Sequence, residues 1–165
     1  MSPAMIFDTH LVLGYVAWLL CFAAYVWPWL RRMDTADAQR AIATLHSFRF
    51  FGLVFILPGV IGPDLPNGFG PFAAYGDFAT GLLAILALLT FRRRPLFRLF
   101  TVAFNLVGIV DLLVDYYHGV TLDLADGAGQ LGATYVIPII YVPLLMITHV
   151  AAFVLMARPI GRRAT

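Results

Sequence analysis

Long apolar runs, separated by short polar or Gly/Pro-rich connections, set the pattern of this 165-residue chain. A helix needs about 20 mostly apolar residues to cross a bilayer. Five segments meet that need, at about 7–30, 42–62, 72–91, 96–118 and 131–157. The expected fold is therefore all-α, an integral membrane bundle of five transmembrane helices, with residues 1–165 forming a single transmembrane domain. Helix 2 has the shortest unbroken apolar stretch, Phe50 to Ile61, so it either extends back through His46 and Arg49 or is re-entrant. An N-cap candidate and early Asp residues within 34–41 favour a start on the polar side. Pro58 falls inside helix 2, and Pro138 and Pro143 inside helix 5, where each is expected to kink the helix and free backbone carbonyls. The stretch from Gly62 to Pro71 is too rich in Gly and Pro to be helical and reads as a stiff turn.

Steps of three and four along each helix pick out the faces that meet other helices, where small residues are favoured. In helix 1 the stripe is His10, Gly14, Ala17, Cys21, Ala24 and Pro28. In helix 3 it is Ala73, Asp77, Thr80, Ala84 and Ala87. In helix 4 it is Thr101, Phe104, Gly108, Asp111, Asp115 and His118.

Composition sharpens this picture. Hydrophobic residues make up 61% of the chain and charged residues 12%, with a mean hydropathy of +0.86, outside the range of soluble domains. The charges are eleven Arg and nine Asp, with no Lys or Glu. Arg31, Arg32, Arg40, Arg92, Arg93, Arg94, Arg98, Arg158, Arg162 and Arg163 flank one side of the helices. Asp8, Asp64, Asp123 and Asp126 lie on the other, which carries no Arg. The positive-inside rule then puts the N-terminus outside and the C-terminus in the cytoplasm, in a multi-pass protein of the bacterial inner membrane type. The Arg clusters read as topology signals with weak attraction to anionic lipid, and no nucleic-acid partner is expected. The N-terminus lacks the basic region of a cleaved signal peptide. The single cysteine, Cys21, excludes an intrachain disulfide. Partners are expected to be membrane lipids or a lipophilic small molecule; a homodimer stays open.

Three Asp break the rule that charge lies outside the apolar runs: Asp77, Asp111 and Asp115. A carboxylate in hydrocarbon costs about 3 kcal/mol on insertion scales, so such groups face a protein interior and mark function. Carboxylates crowded in low dielectric cannot all be charged, which suits acid–base chemistry. Asp77, Asp111, Asp115 and His118 are the candidate catalytic groups. His10, Asn105, Tyr135 and Tyr141 are the candidate substrate-binding groups. His10 and His118 lack the usual spacing of metal ligands, so no metal is expected. His46, Arg49 and His149 form a second group toward the cytoplasm, with Asn105 between the two. They would serve as axial ligands and propionate partner if the chain held haem b. The three Trp (18, 27 and 29) read as interface anchors and packing.

From helix 3 onward the layout resembles the EXPERA family of emopamil-binding sterol isomerases and sigma-2-type receptors. Asp77 matches the acidic residue early in a helix, Arg94-Pro95-Leu96 opens the next, Asp111-Leu112-Leu113 lies late in it, and Tyr135 through Pro143 begins the last. The chain departs from that family in helix 2, where Leu57-Pro58-Gly59 replaces a His–acid pair, and in the last helix, at Val142 and Pro143. The resemblance implies an intramembrane cavity for sterol-like or isoprenoid molecules. In the isomerases an acid–base pair moves a double bond, and Asp77 and Asp111 are the residues that carry over. The expectation is thus a cofactor-independent intramembrane isomerase or cyclase, or a binding protein, for a lipophilic substrate. A proton- or ion-coupled transporter and a haem b electron carrier are the alternatives.

Overall fold

A computed structural model describes residues 1–65 and 68–158. Arg162 and Arg163, and the Pro66-Asn67 part of the Gly/Pro-rich turn, lie outside these residues; Phe69, Gly70 and Pro71, expected in that turn, instead form the first turn of the next helix, where a proline needs no N–H partner. Among the described residues every regular element is helical. Four helices are long and apolar enough to cross a membrane: α1 (Pro3–Arg32), α3 (Phe69–Leu89), α4 (Arg94–Thr121) and α5 (Ile137–Met156). Between α1 and α3, α2 (Thr35–His46) runs on into a 3-10 segment, Ser47–Ile56.

The start of α2 is fixed by Asp34, whose carboxylate accepts from the backbone N–H of Ala36 at 2.8 Å and of Asp37 at 3.0 Å. Helix 2 therefore begins seven residues before the expected 42. It does extend back through His46 and Arg49. It ends at Ile56 rather than 62, because Leu57 is extended and Gly59 takes a φ of +80°. Pro58 consequently lies in the following turn and kinks nothing. The Asp37 and Ala36 N–H groups hold the Asp34 carboxyl below its ordinary range. A lowered folded-state value means stability present at neutral pH and lost as the pH falls through the acid range. Asp34→Ala is expected to cost about 1 kcal/mol and to remove that acid dependence, as read by thermal unfolding at pH 7 and pH 3.

The last helix also begins later than expected. Residues 128–135 form a separate 3-10 turn, broken at Gly132 (φ 53°, ψ −129°). Ile137–Tyr141 is a π-helical turn and Val142–Met156 is α-helical. Pro143 lacks an N–H, so the α-helical bond to Ile139 cannot form. The neighbouring helix covers this region: Trp18 Nε1 donates to the Ile140 carbonyl at 2.8 Å, and Gly14 packs against the Ile139 carbonyl so closely that a Cβ would overlap it. Trp18 is thus a partner of the kink as well as an anchor.

α3 packs along the 3-10 segment on one side and α4 on the other, while α5 packs against α1, α2 and α4. The small-residue stripe of helix 3 faces inward as read, with Ala73, Asp77, Thr80, Ala84 and Ala87 buried; in the stripe of helix 4, Thr101, Phe104, Gly108 and Asp111 are buried and Asp115 and His118 are partly exposed. The stripe of α1 does not. His10, Ala17 and Ala24 are exposed, and the buried positions are Phe7, Gly14, Phe22 and Leu30. α1 is apolar all round and lies at the edge of the bundle, so its sequence carries no phase to mark a contact face.

Two apolar clusters, one at each end, hold the bundle. One joins Phe22, Leu30, Ile42, Phe97 and Leu155. The other joins Phe7, Phe55, Phe69, Leu124 and Leu131. The first end gathers the arginines: Arg31 and Arg158 lie over Trp27, and Arg40 and Arg94 over Phe91. Asp8 and Asp123 lie at the second end.

Candidate functional site

Between the two apolar clusters sits a buried guanidinium. Arg49 is fully buried. Its Nε donates to Asp77 Oδ1 at 2.6 Å and its Nη2 to Asp111 Oδ2 at 2.5 Å. Its Nη1 donates to the Gly108 carbonyl and to His149 Nε2, both at 3.3 Å. The position follows from local geometry. His46, Arg49, Gly52 and Phe55 are the buried residues of this stretch, each three apart. A 3-10 helix has 3.0 residues per turn, so such positions stay in line.

The hydrogen bonds order the rest of the network. Because Arg49 donates to His149 Nε2, the His149 proton sits on Nδ1 and is given to Asn105 Oδ1 at 2.9 Å. Asn105 Nδ2 in turn donates to the Thr101 carbonyl at 2.8 Å. Thr148 Oγ1 donates to the Leu144 and Leu145 carbonyls, so it accepts from His46 Nε2 at 3.0 Å. Separately, toward the arginine-rich end, buried Gln39 donates its Nε2 to the Ala152 carbonyl at 2.8 Å.

Glycines make room for these groups. A Cβ on Gly52 would overlap Asp77, and one on Gly76 would overlap Asp111. On Gly108 it would lie 2.5 Å from His149 Nε2 and 2.7 Å from Arg49 Nη1. Helices approach closely where small residues face one another, and here the space is filled by charged side chains.

Toward the end that carries Asp8 and Asp123, this centre borders a cavity of about 290 Å³. Its walls include Phe7, Phe55, Phe69 and Leu124, and its two inner acids are Asp77 and Asp115. Asp115 Oδ1 is buried with no hydrogen-bond partner among the described residues, and no basic side chain lines the cavity.

The structure thus brings Asp77 and Asp115 to one cavity, with Asp111 behind them on Arg49. The other candidates lie elsewhere. His118 packs edge-on against Phe72. His10 Nδ1 pairs with the Tyr135 hydroxyl at 2.9 Å. The Tyr141 hydroxyl is buried but does not line the cavity, and Asn105 belongs to the His149 side of the network. Arg49 joins part of the two groups read separately from the sequence, bonding Asp77 and Asp111 of one and His149 of the other. Haem does not fit here: the His46 and His149 ring centroids are 4.0 Å apart, which leaves no space for a porphyrin between them. Both His149 nitrogens are engaged, by Arg49 and Asn105, and His46 Nε2 is engaged by Thr148, while His46 Nδ1 is buried without a partner among the described residues. The clamp role of Arg49 escaped the sequence reading, although a charge rule points to it. A guanidinium drawn into an apolar run requires buried carboxylates, and the sequence offers Asp77, Asp111 and Asp115.

An apolar helical bundle with a charged centre and an acid-walled cavity defines the class of protein. The chain belongs to the family described as a domain of unknown function (DUF8737), which it matches over residues 6–157. No curated protein and no solved structure matches it.

Proposed function

We propose that this is a five-span membrane protein, N-terminus outside and C-terminus cytoplasmic, that takes a lipophilic, isoprenoid- or sterol-like molecule from the bilayer and moves a proton on it. The observation that carries this reading is the apolar cavity with Asp77 and Asp115 on its wall.

The five-span part rests on length. The 12 residues of α2 rise about 1.5 Å each, and the 10 of the 3-10 segment about 2.0 Å each. Together they extend about 38 Å, against a hydrocarbon core of about 30 Å. The orientation rests on the gathering of arginines at one end and acids at the other.

The roles follow from the surroundings of each acid. Arg49 places a positive charge beside Asp77, so Asp77 is the proton acceptor. Asp115 has no cation in contact among the described residues and a free buried oxygen, so it is the proton donor. Protonation of one alkene carbon by Asp115 and loss of a proton from a neighbouring position to Asp77 shifts a double bond, with no cofactor consumed. Asp111 acts through Arg49 as a positioning residue. The volume is near the lower limit for small-molecule sites, about 300 Å³, so the cavity holds the reacting end of the ligand while its tail stays in lipid. The resemblance to the EXPERA family supports the same ligand class.

Small molecules extracted from the purified protein test the binding. An apolar olefin is expected to co-purify with the wild type and to be depleted at least tenfold in Gly119→Leu, whose side chain is built at the cavity wall. Equal amounts of bulk phospholipid and nothing else in both would overturn the reading.

A further inference from the structure

The arginine-rich end carries a feature that topology alone does not require. Arg40 on α2 and Arg94 at the start of α4 place their guanidinium carbons 4.6 Å and 4.9 Å from the centre of the same ring, Phe91. Two like charges from different helices therefore converge on one aromatic side chain. The one carboxylate in contact with either is Asp37, 3.7 Å from Arg40 and itself half exposed. Among the described residues Arg94 has no ion-pair partner, and neither have Arg31, Arg32, Arg92, Arg93, Arg98 and Arg158. Among the described residues, two acids, Asp34 and Asp37, face eight exposed or partly exposed arginines at this end.

A guanidinium held over a ring keeps its N–H edge free, and that edge matches two phosphate oxygens. Asp37 contacts Arg40 and Asp34 lies within electrostatic reach of Arg94, yet positive charge stays in excess around the ring, which favours a further anion there. Arg40 and Arg94 flank the apolar spans at the arginine-rich end, the level at which headgroup phosphates lie on the membrane reading. We propose that Arg40, Arg94 and Phe91 form a binding site for the phosphate of one anionic phospholipid of the adjacent leaflet. The site lies at the opposite end of the bundle from the acid-walled cavity, so it depends on the membrane reading and not on the chemistry assigned to Asp77 and Asp115.

An arginine at an anionic surface contributes roughly fivefold to affinity, so two contribute about thirtyfold. The test is native mass spectrometry of the full chain in a non-ionic detergent, titrated with phosphatidylglycerol or with phosphatidylcholine of the same acyl chains. The wild type is expected to hold one phosphatidylglycerol at least tenfold more tightly than phosphatidylcholine. Arg40→Gln/Arg94→Gln is expected to lose this preference, about thirtyfold in affinity. Arg31→Gln/Arg32→Gln removes the same charge from the end of α1 and is expected to keep it. Phe91→Leu keeps both charges but removes the platform, and is expected to bind several-fold more weakly. Equal losses in the two double variants would show diffuse charge attraction in place of a site and would overturn the proposal. So would a wild type that does not distinguish the two lipids.

Discussion

Replacing Arg49 by methionine is expected to destabilise the protein by about 3–5 kcal/mol, the usual cost of removing one partner from a buried ion pair. The expectation rests on the two carboxylates left behind. Asp77 and Asp111 are both buried, and Arg49 is the one cation bonded to each among the described residues. Without it, two acids face each other across a low-dielectric interior, and His149 loses the donor that sets its tautomer. Thermal unfolding in detergent should show the midpoint falling by about 10 °C. Removing the two carboxylates as well should rescue the protein. In Arg49→Met/Asp77→Asn/Asp111→Asn neither ion pair of Arg49 leaves a charge behind, and replacing a whole buried ion network by neutral groups is often close to neutral for stability. The triple variant should therefore recover most of the loss. If it is as unstable as Arg49→Met alone, packing around the arginine matters more than charge.

Gly108→Ala is the second large effect. Its Cβ would sit 2.7 Å from Arg49 Nη1 and 2.5 Å from His149 Nε2, closer than real Cβ contacts. Two of the side chains that order the network would have to shift together, and neither is a flexible end free to move. Overpacking of this kind costs about 1–3 kcal/mol, and here it also displaces the guanidinium that positions Asp77. Gly129→Ala is the matched control. Nothing lies within 4 Å of a Cβ there, and a change within about 0.5 kcal/mol is expected. Both are read from the same unfolding experiment. A Gly108 variant as stable as the Gly129 variant would mean that α4 and α5 part easily, which is incompatible with a rigid charged centre.

How much of this was legible in the sequence depended on whether a helix had two distinct faces. Asp77 and its small neighbours on α3, and Asp111 on α4, lay on stripes with a clear period, and the structure buries those stripes. α1 offered no such contrast, and there His10, Ala17 and Ala24 of the expected stripe turned outward while Gly14 stayed buried. Helix 2 looked short because its inward line, His46, Arg49 and Gly52, is polar or small at the positions where a hydrophobic scan seeks apolar mass. A period of 3.0 in place of 3.6 aligned them. The partners of Arg49 are 28 and 62 residues away, a distance at which a single sequence gives no pairing signal. The extent of the cavity was equally hidden, since its walls come from Phe7, Phe55, Phe69 and Leu124 on separate segments. The three Asp inside apolar runs were visible at once, because a carboxylate is costly in an apolar surrounding and therefore conspicuous there.

The central claim is that Asp115 gives a proton to a bound lipophilic molecule and Asp77 takes one away. It is tested most directly by holding the purified protein, with its co-purified ligand, in deuterated buffer and following the ligand mass. Protonation by solvent-exchanged Asp115 should add one mass unit per turnover in the wild type, and Asp115→Asn should retain the ligand with its mass unchanged. A ligand that gains no deuterium in the wild type, or gains it equally in Asp115→Asn, would contradict the account.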